Sequence, residues 1–143
     1  MIEKKNFYIN GKWVSPSKPN NFEVIDPSTE EPFAIISLGS EQDTDDAINA
    51  AKIAFESWRE TSKEERLSLL EKFDEIYNRR WDEMVNAQST EMGAPLDYSS
   101  EIHTKMGADI SKNTLKILKD FNFEHQFDIK SNNHIRYEPI GVC

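Results

Sequence analysis

The chain has 143 residues, with 17 Lys and Arg against 26 Asp and Glu, a formal net charge of −9. Hydrophobic residues make up 37% of it and the mean hydropathy is −0.70, which allows one modest core and no large one. The acidic balance argues against nucleic acid and against anionic membrane surfaces, both of which are bound through clustered Lys and Arg. A single cysteine, Cys143, excludes an internal disulfide and a paired-cysteine zinc site.

The start, Met1-Ile2-Glu3-Lys4-Lys5-Asn6, has no apolar run behind its lysines, so no signal peptide is read there. No stretch approaches the apolar length of a spanning helix. A cytoplasmic protein is expected. The first regular feature is Phe7-Tyr8-Ile9-Asn10-Gly11-Lys12-Trp13-Val14. Asn-Gly between apolar triplets predicts a hairpin, because a type I′ turn needs positive φ at both central residues. Residues 15–21 read as a loop. Phe22–Ile25 predicts a strand stopped by Asp26-Pro27, since the residue before proline is pushed off helical geometry. Pro32–Leu38 predicts another strand, ended by Gly39.

Helices follow. Ser40-Glu41-Gln42-Asp43 resembles a capping box, with acids concentrated in the first turns. Ala47, Ile48, Ala51, Ala54, Phe55 and Trp58 then recur at helical spacing. Ser62-Lys63-Glu64-Glu65 is a second capping box, opening a stripe of Leu67, Leu70, Phe73, Ile76 and Tyr77. Asn78-Arg79-Arg80 predicts a break. Trp81, Met84, Val85 and Met92 carry the next helix, which Gly93 and Pro95 should end. From about Asp97 to Phe121 a long helix is predicted, with Ile102, Met106, Ile110, Ile117, Leu118 and Phe121 on its core face. Phe123, Phe127, Ile129, Ile135 and Tyr137 then suggest two antiparallel strands around the turn Lys130-Ser131-Asn132-Asn133. Pro139–Cys143 begins another apolar run, and the chain stops inside what reads as a buried strand.

No complete active site emerges from the residues. The glycines (Gly11, Gly39, Gly93, Gly107, Gly141) are too far apart for a dinucleotide-binding or phosphate-binding loop. Asp43-Thr44-Asp45 opens like a calcium loop, but Ile48 stands where the turn glycine must be. His103, His125 and His134 lack metal-ligand spacing. Cys143 has no neighbouring base in sequence and reads as a buried structural cysteine. Glu64-Glu65 and Asp82-Glu83 read as solvated helix faces.

The order of motifs says more. Phe7-x-Ile9-Asn10-Gly11-Lys12-Trp13 resembles the first hairpin of the aldehyde dehydrogenase superfamily. Val24-Ile25-Asp26-Pro27-Ser28-Thr29-Glu30-Glu31 is similar to its V-x-N/D-P-x-T-x-E strand and turn. Asp46-Ala47-Ile48 through Trp58 resembles its first helix, and Glu65-Arg66-Leu67 the start of its second. Glu91-Met92-Gly93-Ala94-Pro95 is similar to E-x-G-K-P, with Ala94 departing from the common Lys. Arg136-x-Glu138-Pro139-Ile140-Gly141-Val142-Cys143 resembles the R-x-P-x-G-V-x strand. The motifs follow in register along the whole chain.

The resemblance implies an α/β fold, the helix-rich N-terminal part of a Rossmann-like enzyme, incomplete as given. Residues 1–121 would belong to the NAD(P)-binding domain, 122–137 would start an oligomerisation arm, and 138–143 would begin a core strand. It implies an oxidoreductase that turns an aldehyde into a carboxylic acid with NAD or NADP. In that chemistry a cysteine thiolate adds to the aldehyde, a hydride leaves for the nicotinamide, and a Glu-activated water releases the acid. Those catalytic residues have no counterpart here; Cys143 matches a variable strand position. The chain alone is expected to bind no cofactor and to be inactive. Its expected partners are the remainder of the same polypeptide and, through the β arm, further copies in a homodimer or homotetramer. The resemblance also implies a monovalent cation held by the carbonyl of Ile25 and the carboxylate of Glu91. The competing expectation is a stand-alone, non-enzymatic interaction module. The stripes Ala47–Trp58 and Ile102–Phe121 would, on the family reading, need a sheet that this chain does not supply.

Overall fold

A computed structural model describes residues 1–129 and 132–143. The predicted hairpin is β2 (Phe7–Ile9) paired antiparallel with β3 (Lys12–Val14). Asn10 and Gly11 both have positive φ, at 51° and 74°, as the type I′ turn requires. Tyr8 and Trp13 stand opposite each other across it, with ring centroids 5.3 Å apart.

β4 (Asn21–Asp26) and β5 (Glu31–Ser37) pair antiparallel with a register shift between Val24 and Ile25. A strand the sequence did not suggest, β1 (Ile2–Lys4), adds to the other edge of β5 in parallel, giving the order β1-β5-β4. β1 is short and carries Glu3 and Lys4, so it lacks the apolar alternation that marks a strand; pairing with β5 alone defines it. Ala34 and Ser37 of β5 are buried.

Both capping boxes form. Ser40 and Asp43 exchange side-chain and backbone bonds at the start of α1 (Glu41–Trp58), and Ser62 and Glu65 do so at α2 (Lys63–Arg79). The predicted break falls at Arg80, after which α3 (Trp81–Met92) ends on Gly93 in left-handed geometry. The expected single long helix is corrected in detail. It runs as α4 (Leu96–Tyr98), a π-helical turn over Ser99–Thr104, and α5 (Lys105–Asp120).

α2 packs on α5, and α3 packs on the π turn. The buried side of this layer is made of small residues: Ser99, Thr104 and Ala108, with Val85 facing from α3. The stripe expected to be core lies open instead. Ile110 and Ile117 are 60% and 65% exposed, and Ile102 and Met106 are also exposed. On α1 only Ala51 and Phe55 of the predicted stripe are half-buried. The helical spacing was right; the surface these faces need is not among the described residues.

β6 (Glu124–Gln126) and β7 (His134–Arg136) form the expected antiparallel pair. Part of the turn assigned between them, Lys130 and Ser131, lies outside the described residues. No strand forms over 138–143, where Ile140 is 95% exposed. Cys143 is exposed and not buried, because the strand that would enclose it has no neighbour here. Among the described residues no helix is long and apolar enough to cross a membrane.

Candidate functional site

Ile25 and Glu91 lie far apart in sequence, on β4 and in the last turn of α3. The fold brings their two turns together. Asp26 closes the first: the backbone N–H and the hydroxyl of Ser28 donate to its Oδ1 at 2.8 and 2.6 Å. The N–H of Glu30 donates to its carbonyl at 2.8 Å. The Ser28 bonds hold the Asp26 carboxyl below the usual carboxylate range. Gly93 closes the second turn with φ 70°, and the Ser89 hydroxyl donates to the Ala94 carbonyl at 2.7 Å. A Cβ at Gly93 would lie 2.9 Å from Cγ of Pro27, so the two turns are in close contact.

Pro32 stands opposite Ile25 and has no N–H to offer the strand ladder. The register shift beside it re-aims the backbone. Among the described residues no group of three or more His, Cys, Asp or Glu could hold a metal ion. The side-chain oxygens at these turns are carboxylates and hydroxyls, the donor types of a hard cation. Glu91 is exposed.

The histidines do not converge. His103 contacts the ring of Tyr98, His125 that of Tyr137, and His134 Nδ1 lies 3.5 Å from the Glu124 carboxylate.

One grouping escaped the sequence. The end of α1, the start of α2 and β7 border a cleft of about 500 Å³ whose charged lining is Arg59, Lys63, Arg66 and Arg136 together with Glu60 and Glu138, which pair with Arg59 and Arg136. Arg66 donates to the Thr61 hydroxyl at 2.9 Å and to the Arg59 carbonyl at 3.3 Å, and its guanidinium lies 5.8 Å from the Phe123 ring centre. Lys63 donates to the Lys119 carbonyl at 2.9 Å at the end of α5. The Lys63 bond ties the start of α2 to the end of α5, and Arg66 sets the α1–α2 corner against Phe123. Lys63 stands in the second capping box, and Arg66 and Arg136 in family motifs, but nothing local in the sequence says that they share a cleft with Arg59.

The fold and these paired turns place the chain among known proteins. The aldehyde dehydrogenase family model matches residues 13–143, and the chain belongs to that family, as its N-terminal segment. It is 38% identical to a 3-succinoylsemialdehyde-pyridine dehydrogenase of a Pseudomonas species, covering 100% of this chain and 30% of that protein. A crystal structure of an aldehyde dehydrogenase from Bartonella henselae superposes with a TM-score of 0.89 at 47% identity, over 92% of this chain and 28% of that one. An aldehyde dehydrogenase C variant from Pseudomonas syringae, crystallised with NAD+ and octanal, matches at 0.84 and 31% identity, over 87% and 26%. The chain thus spans about a third or less of the length of these relatives, and its mixed α/β architecture is part of their fold.

Proposed function

We propose that this chain is the N-terminal segment of a cytoplasmic oxidoreductase that converts an aldehyde to a carboxylic acid with NAD+ or NADP+. The observation that carries it is the match over residues 13–143 to a family with solved complexes of NAD+. In the whole enzyme a bound nicotinamide nucleotide would supply the hydride-accepting chemistry, and the nucleophilic cysteine would be one other than Cys143.

This segment's part is structural. Residues 1–121 supply helices and strands to the nucleotide-binding domain, and 122–137 begin the arm. Among the described residues β6 and β7 form a sheet of only two strands, and so small a sheet is commonly extended by another chain, which supports a homodimer or homotetramer joined there. Residues 138–143 would take strand geometry against a sheet supplied by the rest of the polypeptide. The Ile25 carbonyl and the Glu91 carboxylate would hold a monovalent cation, supported by the seat of Gly93 on Pro27.

The test is the intact mass of the native protein, captured with an antibody to residues 1–143, with NADH formation read at the same time. A mass several times 16.6 kDa with aldehyde-dependent NADH formation is expected. A native mass of 16.6 kDa, or turnover by the 143-residue chain alone, overturns the reading.

A further inference from the structure

The segment from Leu96 to Asp120 winds as one rod with an extra residue stored in it. Within it the Lys105 N–H is shared between the carbonyls of Ile102 and Ser100, and the bond to Ser100, five residues back, is the mark of a π turn. Ser99 and Thr104, also five apart, are both 0% exposed. In α winding, residues five apart stand about 140° around the axis from each other. The two could not then both be buried on one side of the rod. The wider turn brings them round to one side, in line with Ala108.

Three side chains from neighbouring helices grip the turn. Tyr77 of α2 donates its hydroxyl to the Thr104 carbonyl at 3.1 Å. Trp81 of α3 donates its indole N–H to the Ser100 hydroxyl at 3.0 Å. Thr104 donates to the Gln88 amide oxygen at 3.4 Å. Gly107 makes room: a Cβ there would collide with the Tyr77 hydroxyl and lie 3.0 Å from its Cζ. Tyr77 thus enters against the rod only where the side chain is missing.

We infer that Tyr77 and Gly107 form a register lock, which holds the extra residue in Ser99–Thr104 and so fixes the rotation of the rod's first turn relative to α5. The rotation matters at both ends. Upstream, Leu96–Tyr98 follows directly from the Gly93–Pro95 turn that seats on Pro27. Downstream, the lock aims the open line of Met106, Ile110 and Ile117 away from α2 and α3. If the turn relaxed to α winding, one end would rotate by about 100° against the other.

Hydrogen–deuterium exchange on the full chain tests the lock. Tyr77→Phe keeps the ring and removes the donor to Thr104. Amides of residues 99–107 should exchange about tenfold faster, with those of α1 unchanged, as expected for losing one part-buried hydrogen bond. Deleting the exposed Glu101 removes the extra residue. In a Trp13→Phe, Trp58→Phe background, that deletion should shift Trp81 emission to the red, because Ser99 and Ser100 turn away from α3. Unchanged exchange over 99–107 in Tyr77→Phe, acceleration spread evenly over all helices, or wild-type Trp81 emission in the deletion variant overturns the inference. Should the deletion variant not fold, the pattern in Tyr77→Phe decides alone.

Discussion

The two faces of the 96–120 rod make an instructive contrast. The face turned toward α2 and α3 carries Ser99, Thr104 and Ala108, small residues that let backbones approach closely. The opposite face carries Ile102, Met106, Ile110 and Ile117, large apolar residues left open. On hydrophobicity alone the second face should be buried. It is open because burial needs an opposing surface, and α2 and α3 supply one only on the small-residue side. Small residues mark where neighbouring helices sit in this chain; large ones mark where something else should.

Substitutions can break or sharpen that contrast. The largest effect is expected at Ala108, which is 2% exposed. Ala108→Leu should lower the unfolding free energy by about 3 kcal/mol in urea titrations, because the closed side has no room. At the turn contact, Gly93→Ala faces both a positive φ and Pro27. It should lose about 1–2 kcal/mol by the same measurement.

The caps come next. Ser40→Ala removes half of a formed capping box and should lower stability by about 1 kcal/mol. Its partner gives the pH dependence. The N–H groups of Ser17 and Ser40 hold the Asp43 carboxyl down at about 2, from an ordinary 3.8. A depressed folded pKa means that the unfolded chain takes up the proton first, so stability rises with pH between these values. The contribution is complete above the ordinary value and is lost as pH falls toward 2. Asp43→Asn should flatten this acid limb in melts taken from pH 5 to pH 2, and an unchanged limb would show that other carboxylates set it.

The smallest effects belong to the open surfaces. Ile110→Gln should change stability by less than about 0.5 kcal/mol while reducing self-association measured by light scattering. A loss comparable to that of Ala108→Leu would mean that the open face is already packed, and the contrast would fail. Lys119→Met breaks the exposed pair with Glu71, 3.0 Å apart, and should cost less than about 0.5 kcal/mol.

Much of this molecule is local and therefore legible in sequence. Asn10-Gly11 dictates its hairpin because few residues tolerate positive φ. Ser40, Asp43, Ser62 and Glu65 dictate helix starts because they satisfy orphan N–H groups within three residues. Gly93 dictates a helix end for the same kind of reason. The motif order that marks the family is likewise a property of the chain alone. Tertiary structure decided what depends on distant neighbours. β1 exists through its pairing with β5, although Ile2-Glu3-Lys4 does not look like a strand. The π turn at Ser99–Thr104 is gripped by Tyr77, Trp81 and Gln88, none of which is near it in sequence. The approach of Gly93 to Pro27, and the gathering of Arg59, Lys63, Arg66 and Arg136 in one cleft, are products of packing. Helical periodicity says which residues share a face, but which face is buried is set by the surface that meets it.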